Sequence, residues 1–280
     1  MPQRLPDSGP PFIWPFGHLR TIRRDMLGFF TRCSREYGDV ATMWFGPRKV
    51  YLLSHPAHIE QVLVGRNRAF RKHYAFKYLR PLLGKGLLTA EGDHWLKQRR
   101  LMQPGFDRPS LARYGTVMVE HAEEMLDRWE DGEPRDTYRD MTELTLRIAA
   151  KTLMDIDIGP QLEQVARGQD AVMHDFRRRF QSAWPLPMWV PTPTNLRLKQ
   201  AMAQLNDVIE GIIGRRRKSG RDHGDLLSML MRARDADDGT GMDDKQLRDE
   251  VMTLLLAGHE TTANALSWTW YLLAQNPKAA

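Results

Sequence analysis

One stretch constrains this 280-residue chain more than any other. It runs from Asp243 or Asp244 to about Gln275, just before Asn276-Pro277. Leu247, Val251, Leu254, Gly258, Thr261, Ala265, Trp268 and Leu272 recur there at intervals of three and four, so they line one stripe of a single helix. At 1.5 Å per residue that helix is roughly 50 Å long, enough to cross a whole domain. The ends of the stripe are large and its middle is small. Gly258, Thr261 and Ala265, widened by Ala257, are expected to carve a shallow trough in the buried face. A mid-helix glycine costs about 1 kcal/mol relative to alanine, so a benefit at that position must offset it. Thr261 and Thr262 can turn their hydroxyls back to the carbonyls of Ala257 and Gly258 and loosen the ladder. A kink there would open a pocket for a small molecule or water, and Glu260 could relay protons along a water chain. Small residues that admit a close neighbouring helix, with Glu260 in solvent, explain the same pattern, and this helix alone does not choose.

The rest of the chain bounds the answer. A hydrophobic share of 41% with 27% charged residues is that of a globular protein. The longest aliphatic run, around Leu254, falls well short of the ~18 residues of a transmembrane helix. The N-terminal "MPQRLPDSGPPFIWPFGHL" has no secretory core and reads as surface coil. A single cysteine, Cys33, excludes an internal disulfide and a cysteine-cluster metal site, which makes the cytoplasm the natural compartment. His259-Glu260 opens the zinc-protease pattern, but position 263 is alanine, so a zincin is excluded. There is no Gly-x-Ser-x-Gly elbow and no P-loop, and Thr89 stands where a dinucleotide fingerprint needs its third glycine. Lys and Arg exceed Asp and Glu by six. Basic groups interleave with aromatics from Arg66 to Arg80, a pattern open to nucleic acid or an acidic protein partner.

Periodicity predicts a helix over 19–37 with Cys33 as a small core residue, then a hairpin from Val40 to Leu53 around "GPRK", then a short helix capped by Ser54 and running through Val64. Asp93 is expected to cap a helix that ends near Gln103. Further helices are expected over 109–130, 138–154, 160–181, 195–218 and 225–234. The segment "WPLPMWVPTPT", Trp184 to Thr194, is too proline-rich for helix or central strand, and suits a lid, a membrane-touching loop or a stiff connector packed on the core. The fold class is mainly α with a small β-element.

The segment "AGHETT" resembles the Ala-Gly-x-Asp/Glu-Thr motif on the long central helix of the cytochrome P450 family, the heme-thiolate monooxygenases. "GLLTAEGDHWLKQRR" resembles that family's segment leading into a Trp-x-x-x-Arg helix, with Trp95 and Arg99 in the matching places, and the order of elements along the whole chain agrees. The resemblance implies a single cytochrome P450 domain over 1–280, incomplete after the oxygen-site helix, of the soluble bacterial type. It implies heme b, iron protoporphyrin IX, held at its carboxylates by Trp95 and Arg99, with Ala257 and Gly258 over the face where dioxygen binds. Thr261 would hydrogen-bond the bound oxygen and steady a water, and Glu260 would connect that water to solvent. Leu88 would line the substrate side. The implied reaction inserts one oxygen atom from O2 into a small apolar substrate, with NAD(P)H-derived electrons arriving through a ferredoxin- or flavodoxin-type partner, without nucleic acid and without a transmembrane anchor.

The family's axial cysteine loop and its Glu-x-x-Arg motif are not found in these residues, and Cys33 lies far upstream in an amphipathic helix. The chain therefore reads as the N-terminal portion of a monooxygenase, with no metal ligand of its own and no expected activity alone. A different class remains open: a non-catalytic helical binding protein that engages nucleic acid or a partner through Arg66 to Arg80.

Overall fold

The structure is a computed structural model that describes residues 8–180 and 186–279. It divides into two compact units, Met1–His73 with Arg177–Pro187, and Tyr74–Phe176 with Met188–Ala280.

The first unit carries α1 (Leu19–Arg24), α2 (Met26–Tyr37), the antiparallel pair β1 (Val40–Phe45) and β2 (Arg48–Leu53), and α3 (Pro56–Glu60), which runs on into a π-helical turn at Gln61–Gly65. The predicted hairpin is present, in the register Val40↔Leu53 to Phe45↔Arg48. The single helix expected over 19–37 is broken at Asp25. That residue is extended (φ −156°), and its carboxylate accepts from Gly28 N at 2.9 Å, so it caps α2 instead of continuing α1. A Cβ on Gly28 would fall on that carboxylate, which is why glycine follows the cap. The cap of α3 is His55, not Ser54: its Nδ1 accepts from Ala57 N at 3.2 Å. Ile22, Phe29, Cys33, Ala41 and Met43 form the core, with Cys33 buried as expected.

The second unit is helical: α4 (Arg80–Leu83), α5 (Gly92–Met102), α6 (Arg108–Leu126), α7 (Thr137–Met154), α8 (Leu162–Phe180, whose last turn belongs to the first unit), α9 (Pro193–Ser219), α10 (Leu226–Arg232) and α11 (Asp244–Gln275). Helix starts follow side-chain chemistry. Asp107, Asp136, Thr192, Asp225 and Asp243 each accept a backbone N–H three residues on, at 2.7–3.1 Å. At α5 the N-cap is Glu91 with no side-chain bond, so the helix begins two residues earlier than predicted and Asp93 lies within its first turn.

The large core joins Leu146, Ala150 and Met154 of α7, Leu205, Ile209 and Ile212 of α9, Leu226, Leu227 and Leu230 of α10, and Leu247, Val251, Met252 and Leu255 of α11. Each fully buried Leu, Ile or Val contributes about 1.5–3 kcal/mol, so this core fixes the position of α11. Arg216, buried in α9, ties three helices together. Its guanidinium donates to Asp225 at 2.8 Å, Ser228 Oγ at 2.6 Å and the Met154 carbonyl at 2.6 Å.

Trp184 and Pro185 of the proline-rich segment lie outside the described residues. Beyond them Met188 packs on the core while Trp189 is exposed. Between Arg66 and Arg80 the chain makes 3-10 turns at Asn67–Ala69 and Tyr74–Tyr78; Ala75 and Leu79 are buried, and Arg66, Arg68 and Arg71 are exposed.

Candidate functional site

α11 passes through its small-residue centre without interruption. Thr261 Oγ1 donates to Ala257 O at 2.8 Å and Thr262 Oγ1 to Gly258 O at 3.0 Å, the two back-bonds expected from the sequence. They do not break the helix, because a carbonyl oxygen has two lone pairs and can serve hydroxyl and amide together.

The expected burial of the stripe is corrected. Leu247 and Val251 are buried and Leu254 is half-buried, but Ala257, Gly258, Thr261, Ala265, Trp268 and Leu272 are exposed. The stripe changes from core to surface at Ala257. The buried side of the centre is instead Met252, Leu255, Leu256, His259 and Ala263, and α7 is the principal neighbour of α11. A Cβ built on Gly258 meets no described atom within 4 Å, so the notch is open. Glu260 is half-buried on the edge of this face.

His259, which in the sequence only opens a zinc-protease pattern that Ala263 breaks, is buried next to the notch. Its Nδ1 lies 2.9 Å from Leu255 O, and the tautomer with hydrogen on Nδ1 donates there. Burial pushes its imidazole below the usual value, against the raising effects of that carbonyl and of Asp170.

Trp95 and Arg99 project together from α5, with the guanidinium 5.3 Å from the indole ring centre. Trp95 is half-buried and Arg99 is exposed. Arg99 has no ion pair among the described residues. Its neighbours on the helix are engaged: Lys97 binds Asp238 at 2.6 Å, and Arg100 binds Asp237 at 2.7 Å. The hydrogen bonds from Lys97 and Thr240 hold the Asp238 carboxyl far below the usual carboxylate range. α5 is thus fastened along one side, while Arg99 keeps its fork of donors.

The loop before α5 is locked to α11 by two acids that the sequence reading passed over. Asp249 Oδ2 accepts from Lys85 N, and Glu250 Oε2 from Leu87 N, both at 2.8 Å. Asp249 is 2% exposed and Glu250 fully buried. The signal was present in the sequence: adjacent carboxylates sit between Leu247 and Val251, where a buried stripe has no use for charge. Leu88, on the same loop, is half-buried against the large core. So Ala257, Gly258 and Thr261 share one open face of α11, Trp95 and Arg99 share one face of α5, and the loop carrying Leu88 joins the two helices.

A cleft of about 510 Å³ lies between α9 and α11, lined by Asn206, Glu210 and Ile213 on one side and by Asp244, Lys245, Arg248 and Asp249 on the other; none of the predicted site residues lines it. No helix of the described residues is long and apolar enough to cross a membrane.

These two helices are the features that a comparison with known families can decide, and the family described as Cytochrome P450 matches residues 7–280. The chain belongs to the cytochrome P450 family. Among curated relatives of this P450 chain, cyclooctatin synthase of Streptomyces melanosporofaciens is 36% identical over 94% of the chain and 58% of its own length. Cyclooctat-9-en-7-ol 5-monooxygenase of the same organism is 35% identical over 94% of the chain and 57% of its own length. Pentalenene oxygenase of Streptomyces avermitilis is 33% identical, with shares of 94% and 58%. The chain therefore spans somewhat more than half the length of the relatives it matches, and its family is an enzymatic one.

Proposed function

We propose that these residues form the oxygen-side wall and part of the substrate pocket of a heme-dependent monooxygenase, which inserts one oxygen atom from O2 into an apolar organic substrate. Two features fit heme b. The surface at Ala257 and Gly258 is open, and a side chain at 258 would project into that space. Arg99, exposed and free of an ion pair among the described residues, offers a charge-assisted fork to a carboxylate, and Trp95 adds a neutral N–H donor from the same helix face. When bound, heme supplies the activation of dioxygen with electrons drawn from NAD(P)H through a separate ferredoxin- or flavodoxin-type partner.

The chain's own residues then bind, orient and move protons. Trp95 and Arg99 hold the carboxylate edge. Thr261 Oγ1, donating its hydrogen to Ala257 O, keeps its lone pairs for a water that it fixes above the notch. Glu260, at the border of buried and exposed surface, takes protons from solvent and passes them to that water. Leu88 supplies apolar wall. The names of pentalenene oxygenase and of cyclooctat-9-en-7-ol 5-monooxygenase denote cyclic, largely hydrocarbon substrates, and we extend that class to this chain.

The observation that carries the reading is the open notch at Gly258 beside Thr261, where α11 passes from its buried N-terminal half to its exposed C-terminal half while His259 and Ala263 stay buried behind it. Cys33 is buried among Ile22, Phe29 and Met43, so residues 1–280 by themselves offer heme no thiolate. The reduced carbon-monoxide spectrum tests both statements. Residues 1–280 with heme are expected to lack the thiolate-type Soret band. A polypeptide of the relatives' length that carries them is expected to show it, and to retain less heme after Arg99→Ala. A thiolate-type band from residues 1–280, or heme retention indifferent to Arg99, would overturn the reading.

A further inference from the structure

The clasp between α11 and the loop before α5 is more than a packing contact. Lys85 N and Leu87 N, alternate amides of one loop, each end on a buried carboxylate of adjacent helix residues. Both acids are held from the other side as well. Arg248 donates to Asp249 Oδ1 at 2.6 Å, and Gln246 Nε2 donates to Glu250 Oε1 at 2.7 Å and to the Lys85 carbonyl at 3.2 Å. The loop backbone reaches this close only because Gly84 and Gly86 carry no side chain. A Cβ on Gly84, which also has φ +52°, would fall on the Asp249 carboxylate, and one on Gly86 on Thr253 Oγ1. Thr89 Oγ1 closes the turn by donating to Gly84 O at 2.8 Å. Two buried carboxylates are costly where apolar packing would serve, so what they secure is the exact seating of residues 84–89.

We propose that Asp249 and Glu250 are positioning residues for the substrate pocket: their carboxylates clasp the 84–89 loop and thereby set where Leu88 stands. This rests on the reading of Leu88 as pocket wall. The acids touch no substrate; they act through two main-chain amides, and the register of the clasp fixes how far the leucine reaches.

The first arm of the test needs no heme. In the 280-residue chain, amide hydrogen exchange at Lys85 and Leu87 should accelerate about tenfold or more in Asp249→Asn and Glu250→Gln respectively. Leu146 and Ala150 of α7 should keep their protection. If a variant loses that α7 protection, it has unfolded, and Gly86→Ala, which opens the same clasp from the loop side, takes its place. Unchanged exchange at both amides overturns the clasp. The second arm uses the heme-loaded polypeptide of the relatives' length with two probes, imidazole and 4-phenylimidazole, titrated by absorbance. The phenyl ring reports the wall; imidazole alone does not. Glu250→Gln should change the ratio of the two dissociation constants several-fold at equal heme content. Faster exchange with an unchanged ratio overturns the positioning role, while absence of heme from that polypeptide overturns the proposed function and leaves the exchange arm to decide the clasp.

Discussion

Gly258 sets helix stability against an open surface, and the two can be separated by one methyl group. Nothing described lies within 4 Å of a Cβ at this position, so Gly258→Ala should stabilise the 280-residue chain by about 0.5–1 kcal/mol in urea unfolding, through helix propensity alone. The same methyl in a heme-loaded polypeptide should weaken heme or dioxygen binding; destabilisation of the chain would show that the notch is filled. His259 makes the neighbouring prediction. Its folded value lies below the usual 6.5, so the unfolded chain protonates first as pH falls. The stabilising contribution is therefore complete above about 6.5 and is lost as pH drops from there toward the lowered folded value. His259→Gln should flatten the slope of unfolding free energy between pH 7 and 5, and an unaltered slope would assign it to other groups. The hydroxyl bonds of Thr261 and Thr262 were legible from spacing, since they depend only on i−4 geometry. The exposure of Gly258 and Trp268 was not, because periodicity gives a stripe and says nothing of which element covers each part of it.

At the scale of elements, what the sequence showed were local devices. The helix ranges at 109–130, 138–154 and 225–234 and the start at Asp243 came from spacing; Asp107, Asp136, Asp225 and Asp243 cap those starts, whereas the caps read at Ser54 and Asp93 fall to His55 and Glu91. Asp25 was the exception: a helical pattern ran through it, yet its carboxylate bound Gly28 N and split the helix, a choice between two local options that period counting cannot make. What lay hidden were contacts far apart in sequence, such as Glu250 with Leu87. Arg216 is another. It bonds the C-terminal end of α7, the cap of α10 and its Ser228 from within α9. Removing it leaves Asp225 buried and unpaired, so Arg216→Met should cost about 3–5 kcal/mol. Adding Asp225→Asn should recover part of that loss, since the amide carries no charge and keeps an acceptor for Ser228 N. A loss below 1 kcal/mol in urea unfolding would mean that solvent reaches the pair.

For the whole molecule the decisive contrast is between two cores of unequal size. The first unit is built on Ile22, Phe29, Cys33, Ala41 and Met43, while the second gathers side chains from most of its helices into one large cluster, beside a smaller one of Met125, Met141, Leu144 and Ala263. Burial scales with such clusters, so the smaller core should open at lower denaturant. The chain contains its own reporter, because its one cysteine lies in the smaller core at 2% exposure. Burial, with Glu36 nearby, also pushes the thiol up from its ordinary value, which slows its reaction further while the unit is closed. Thiol labelling against urea should therefore show Cys33 reacting at a lower concentration than the loss of helical ellipticity, which the second unit dominates. Met43→Ala should move the labelling transition and leave the ellipticity midpoint in place, and Leu227→Ala should do the reverse, each costing about 2–5 kcal/mol in its own unit. Coincident transitions in wild type, moved together by either substitution, would show instead that the two cores unfold as one cooperative body.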